Sequence, residues 1–194
     1  METDAIASEP AHLATDSASA MDAQGAGPDR LVATSAIELS PTQTSKRPIS
    51  VLVVVFTTAG EFLLMNRIRP AGFWQSVTGS LRPGETPRTA ALRELKEETG
   101  LLGAARLIDL RQSRLFPIIK AWRARYRNGV CFNREHWFAL PLAHRRIIHL
   151  NAEEHNQCLW LPIDKALDMA SSWTNREAMR LLASLQQSLI LATA

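Results

Sequence analysis

The sequence predicts an α/β fold, a mixed β-sheet with helices on both sides in an α/β/α sandwich. Three observations point to it. Ile49 to Thr57 is β-branched and almost wholly apolar, as suits a strand buried on both faces. Gly79 to Leu101 places a glycine-containing loop between a strand pattern and a helix with stop signals at both ends. Strand-like and helix-like stretches then follow one another to the end of the chain, where Met179, Leu182, Leu185 and Leu189 keep a helical period. At 194 residues the chain is long enough for one such domain over residues 46–194, with residues 1–45 left over.

Residues 1–45 are rich in Ala, Ser, Thr and Asp and show no helical or strand period, so a disordered N-terminal extension is expected. They lack the basic start and apolar core of a signal peptide. Order is expected from Lys46. After the strand at Ile49–Thr57, Ala59-Gly60 makes a turn and Phe62 to Ile68 returns as a second strand. Phe73 to Thr78 reads as a short third strand leading into the loop Gly79-Ser80-Leu81-Arg82-Pro83-Gly84. Thr86 caps the following helix, Pro87 takes its first position, and Gly100 ends it with a left-handed residue. Ala104 to Arg114 alternates as a strand, and Leu115 to Ile119 bends around Pro117. Ala121 to Asn128 is basic and expected on the surface, and Asn128-Gly129 signals a turn. Val130 to Leu142 and Cys158 to Leu161 are further strands, and Ile163 to Ala170 is a short helix. Thr174 and Glu177 have the spacing of a capping box for the last helix.

The helix after the loop carries the chemistry. At 100° per residue, Arg93, Glu94, Glu97 and Glu98 share an arc of about 140°, while Ala91, Leu92, Leu95 and Thr99 lie opposite. One side therefore packs on a core and the other shows three carboxylates. Carboxylates on adjacent turns repel one another. A hard divalent cation removes the repulsion, and Mg²⁺ takes one or two carboxylates together with substrate phosphates. The loop glycines permit tight turns and close approach of a phosphate.

Gly79, Glu85, Arg93, Glu94, Leu95, Glu97, Glu98, Gly100 and Leu101 fill the pattern G-x5-E-x7-R-E-U-x-E-E-x-G-U without a mismatch, U being a bulky aliphatic residue. The stretch resembles the Nudix box of hydrolases that cut nucleoside diphosphates linked to another group. Three further stretches narrow the likeness. Lys46-Arg47-Pro48, Phe73-Trp74-Gln75-Ser76-Val77-Thr78-Gly79 and Ser172-Trp173-Thr174-Asn175-Arg176 resemble the bacterial dihydroneopterin triphosphate pyrophosphatases. The resemblance runs from about Lys46 to Met179 and implies a Nudix-type sandwich. It implies Mg²⁺, with Mn²⁺ as a substitute, held by Glu94, Glu98 and Glu154. Glu153 is the neighbouring alternative to Glu154. It implies substrate contacts at Lys46, Arg67, Thr78, Ser172 and the segment Phe116, Pro117, Ile118 and Ile119. Arg93 would orient a box carboxylate, and Glu97 or Glu98 would act as the base. The implied reaction releases pyrophosphate from dihydroneopterin triphosphate in folate synthesis.

Composition bounds the rest. No apolar run reaches the roughly 18 residues that span a bilayer, so a cytoplasmic protein without a membrane partner is expected. Cys131 and Cys158 lack metal-type spacing and read as small buried hydrophobes. Residues 1–45 carry seven acids and one base, a net −6, whereas residues 46–194 carry 21 bases and 12 acids, a net +9. A basic surface steers polyanions toward the protein. A small triphosphate is the expected partner, nucleic acid is not, and the chain is expected as a monomer or small homo-oligomer. Other readings of the same box are a general nucleoside triphosphate pyrophosphatase, removal of pyrophosphate from RNA 5′ ends, and a binding module that has lost catalysis. The intact Arg93-Glu94-x-x-Glu97-Glu98 argues against the last.

Overall fold

The computed structural model describes residues 45–193. The expected disordered extension over residues 1–45 thus lies almost wholly outside the described residues. Seven strands form one mixed sheet in the order β3-β2-β1-β6-β5, with β4 also paired to β1 and β7 to β2. The strands are β1 (Ile49–Thr57), β2 (Glu61–Arg67), β3 (Trp74–Gln75), β4 (Val77–Ser80), β5 (Ile108–Pro117), β6 (Phe132–Leu142) and β7 (His155–Pro162). The α-helices are α1 (Pro87–Thr99), α2 (Ile163–Met169) and α3 (Trp173–Thr193), and a 3-10 helix covers Lys120–Arg125.

The unbroken apolar run of β1 is explained by its two buried faces. Val51, Val53 and Val55 join Leu63, Met65, Phe138 and Leu140 in the core beneath α1, where Leu95 packs. Leu52, Val54 and Phe56 point the other way, into a core with Trp137, Ala166, Ala178 and Met179 beneath α2 and α3. Period-two alternation along one strand therefore fills both layers of the sandwich.

Several expectations change in detail. Phe73–Thr78 is not one strand: β3 pairs with β2 and β4 with β1, and Gly79 and Ser80 belong to β4 rather than to a loop. The strand expected over 104–114 starts later, at Ile108, and runs through Pro117. It is irregular between Asp109 and Ser113, where Arg111 has φ 52° and its N–H is held by Asp109 Oδ1 at 2.8 Å. Pro117 is accommodated because β5 lies at the sheet edge. The capping box at Thr174 and Glu177 is not used. Ser172 precedes α3, and its Oγ accepts the N–H of Thr174 at 3.2 Å, while Glu177 pairs with Arg114. Leu185 is about half exposed, Leu182 is the last buried residue of α3 as far as Gln186, and the side chain of Leu189 lies outside those described. Cys131 is exposed rather than buried. No helix among the described residues is long and apolar enough to cross a membrane.

Candidate active site

α1 forms between the expected signals. Thr86 accepts the N–H of Thr89, Pro87 stands in the first turn, and Gly100 (φ 72°) donates its N–H to the carbonyl of Lys96. The helix is set against β4, and the polar arc is not a solvated face. Glu94 and Glu98 are buried, 9 % and 1 % exposed, whereas Glu97 stays open to solvent. The three carboxylates that share an arc thus meet different surroundings.

Gly79 explains how Glu94 is accommodated. A Cβ at Gly79 would stand 1.8 Å from the Glu94 carboxyl carbon and 2.4 Å from its Cγ, so only glycine lets the carboxylate lie against β4. Arg93 then fixes the group. Its guanidinium donates to both oxygens of Glu85 at 2.6 and 2.8 Å, to Glu94 Oε1 at 2.7 Å, to Glu97 Oε2 at 3.0 Å and to the Ser80 carbonyl at 3.1 Å. These bonds hold the Glu85 carboxyl down at about 2. Burial outweighs Arg93 at Glu94 and pushes that carboxyl up to about 7. Burial also raises Glu98, against the opposing pull of His155. Arg82 donates to both oxygens of Glu97 at 3.1 and 3.3 Å.

Glu98 lies beside residues of β7 and its approach. Ligand atoms of Glu98, Glu154 and His155 lie within 4.8 Å of one another. His155 Nε2 is 3.6 Å from Glu98 Oε2, which also accepts the Thr78 N–H at 3.3 Å. Glu98 Oε1 and both ring nitrogens of His155 are buried without a hydrogen-bond partner. Unpaired buried donors and acceptors are costly. A divalent cation fits the carboxylate oxygens of this group, which are the ordinary ligands of a hard ion, while imidazole is the ligand of softer divalent ions. Glu94 is not part of this closest group. Arg67 Nη2 reaches Glu154 at 3.4 Å and fixes it at the rim.

A cavity of about 580 Å³ opens beside these groups. Of the residues expected at the site, Lys46, Arg67, Thr78, Glu94, Phe116, Ile118, Glu154 and Ser172 line it, as does Glu153. Pro117 and Ile119 do not. Ile118 is buried while Pro117 and Ile119 are exposed, as alternation along an extended segment requires. Arg93, Glu97 and Glu98 do not line it: Arg93 and Glu98 are largely buried and Glu97 is open to solvent. The basic stretch expected on the surface contributes Trp122 and Arg125, and Trp122 meets Phe73 edge to face at 5.6 Å between ring centres. Sequence reasoning passed over Ser50, Asn133 and Glu135, which also line the cavity, as does Asn175 of the stretch Ser172–Arg176. The available signal was an acid and an amide in phase with Trp137 on β6, where core residues are expected.

The NUDIX domain family model matches residues 46–182. The dihydroneopterin triphosphate diphosphatase of Escherichia coli (strain K12) is 41 % identical over 138 residues, covering 69 % of this chain and 91 % of that protein. The enzyme of the same name from Haemophilus influenzae is 36 % identical over 135 residues, covering 68 % and 84 %. The solved structure of the E. coli dihydroneopterin triphosphate pyrophosphohydrolase superposes with a TM-score of 0.67 at 40 % identity, over 71 % of this chain and 95 % of that one. The chain belongs to the Nudix family.

Proposed function

We propose that this protein hydrolyses dihydroneopterin triphosphate to dihydroneopterin monophosphate and pyrophosphate. The observation that carries the reading is the 41 % identity over 91 % of the E. coli enzyme. The cavity supports it, because it joins a carboxylate cluster to a slot walled by Phe73, Phe116, Ile118 and Trp122.

The bond broken lies between the α- and β-phosphates. Water supplies a hydroxyl to one fragment and a proton to the other. Glu94, Glu98 and Glu154 would hold Mg²⁺ through carboxylate oxygens, and ligand atoms of Glu98 and Glu154 already lie within 4.8 Å of each other. When bound, the ion neutralises charge on the phosphate oxygens and makes a bound water easier to deprotonate. Arg93 orients Glu94 and engages Glu97, which Arg82 also occupies. The unpartnered Oε1 of Glu98 therefore supports Glu98 over Glu97 as the proton acceptor. Lys46 and Arg67 at the rim would receive the phosphates as point charge and guanidinium fork.

Pyrophosphate release from a panel of triphosphates tests the reading. Dihydroneopterin triphosphate is expected to give the highest kcat/KM, with activity abolished by excess chelator and restored by Mg²⁺ or Mn²⁺. A higher kcat/KM for dATP or an oxidised guanine triphosphate would make the protein a general nucleotide pyrophosphatase. Preference for triphosphorylated RNA ends would replace both.

A further inference from the structure

Glu135 sits on β6 between Asn133 and Trp137, all three facing the α3 side of the sheet, and its side chain lines the cavity while 5 % exposed. It accepts the indole N–H of Trp137 at 3.1 Å and a hydrogen bond from the Thr174 hydroxyl. Among the described residues no Lys, Arg or His pairs with it, and burial pushes its carboxyl up to about 7. A carboxylate is a costly way to hold two neutral donors, since a buried amide side chain would serve without the desolvation of a charge. Beside it, Asn133 Nδ2 donates to Ser50 Oγ at 2.7 Å, but Asn133 Oδ1 is buried and has no donor. This part of the lining therefore offers acceptors for which the described side chains provide too few donors. Ser50 pairs with Ser80 on one side and Glu135 on the other, so Glu135 is two strands, roughly 10 Å, from β4, against which Glu94 of α1 lies.

We propose that Glu135 is a specificity residue, whose carboxylate accepts the adjacent ring N–H and exocyclic NH₂ of a 2-amino-4-oxopyrimidine ring, while Asn133 Oδ1 accepts a further ring N–H. A dihydropterin and a guanine both present that donor pair, and adenine does not. The inference rests on the reading that the cavity binds a heterocyclic triphosphate, and it adds how the ring is chosen. A carboxylate matches two parallel donors in a bidentate pair, and removing one donor leaves buried acceptors unpaired. The Phe73–Trp122 pair and Ile118 would cover the ring faces.

The test compares dGTP with dITP, which differ only in the 2-amino group. Relative kcat/KM is read directly, or as competitive inhibition of the best substrate where turnover is slow. The wild-type protein is expected to favour dGTP by roughly 5- to 150-fold, mostly through KM, as bidentate pairing allows. Glu135→Gln should bring that ratio to within about twofold of unity, with a melting curve checking that the variant folds. A wild-type ratio near one, or a ratio that Glu135→Gln leaves unchanged, overturns the proposal. A second measurement needs no variant: 7,8-dihydroneopterin should inhibit the wild-type enzyme about tenfold or more better than its 2-dimethylamino analogue, and equal inhibition also overturns the proposal. If dihydroneopterin triphosphate is a poor substrate while dGTP still exceeds dITP, the proposed function fails and Glu135 keeps its role. If the pterin is the best substrate but the 2-amino group has no effect, the reverse holds.

Discussion

Gly79 and Glu94 lie on different elements yet depend on each other, since the glycine leaves the volume that the carboxylate fills. Gly79→Ala is expected to push Glu94 off β4 and away from the position in which Arg93 holds it. Misplacing such a group by about 1 Å costs on the order of 100-fold in kcat. Because the displaced atoms end a flexible side chain, the melting temperature should fall by only a few degrees. A variant with full kcat would show that Glu94 can act from another position. The residue types at this site were legible because the caps of α1 fix the helical phase, and the phase puts Arg93, Glu94, Glu97 and Glu98 on one arc. What the arc faces was not legible. A helical wheel does not show that β4 and β7 close over Glu94 and Glu98 while Glu97 stays in solvent. Glu135 was hidden for a related reason: an acid inside an apolar strand pattern reads as a core position until the cavity beside it is seen.

Elements were legible where local signals met no competition. β1 has the expected bounds, and α1 has its expected cap and stop. The start of α3 was misread because Ser172 and Thr174 both suit a helix N-terminus, and tertiary partners decide between them. The Thr174 hydroxyl serves Glu135, and Glu177 is drawn to Arg114, so both halves of the expected box are engaged elsewhere. Ser172 is left to hold the first turn and also contacts the Thr174 hydroxyl at 2.7 Å. Ser172→Ala should therefore destabilise the protein by about 1 kcal/mol, the usual loss for a removed N-cap, or roughly 2–4 °C in Tm. Glu177→Gln should cost less, because the Arg114 pair is partly solvated and such pairs contribute little. Urea titration of both variants checks the order, and a larger loss for Glu177→Gln would return the cap to Thr174 and Glu177.

At the scale of the molecule, charge does what neither a residue nor an element can. Residues 46–194 carry a net +9, yet the site they build contains Glu94, Glu135, Glu153 and Glu154. The excess positive charge was readable from composition, but it attracts every polyanion and selects none. Selection belongs to the cavity interior, whose residues come from β1, β4, β6 and the start of α3 and could not be assembled from sequence order. Approach and selection should accordingly separate in the kinetics. On the proposed function, the summed field together with Lys46, Arg67, Arg69 and Arg125, which line the cavity, would draw a triphosphate. Screening lengths fall from roughly 10 Å at 0.1 M salt to about 3 Å at 1 M. Raising NaCl from about 0.05 to 0.5 M at saturating Mg²⁺ should lower kcat/KM by several-fold while kcat changes little, because steering ends once the substrate is bound. The dGTP-to-dITP ratio should hold across the same range, since the two carry equal charge. A kcat/KM that stays flat would mean that the positive excess lies away from the approach to the site, and a ratio that falls with salt would mean that charge, not hydrogen bonding, separates the rings.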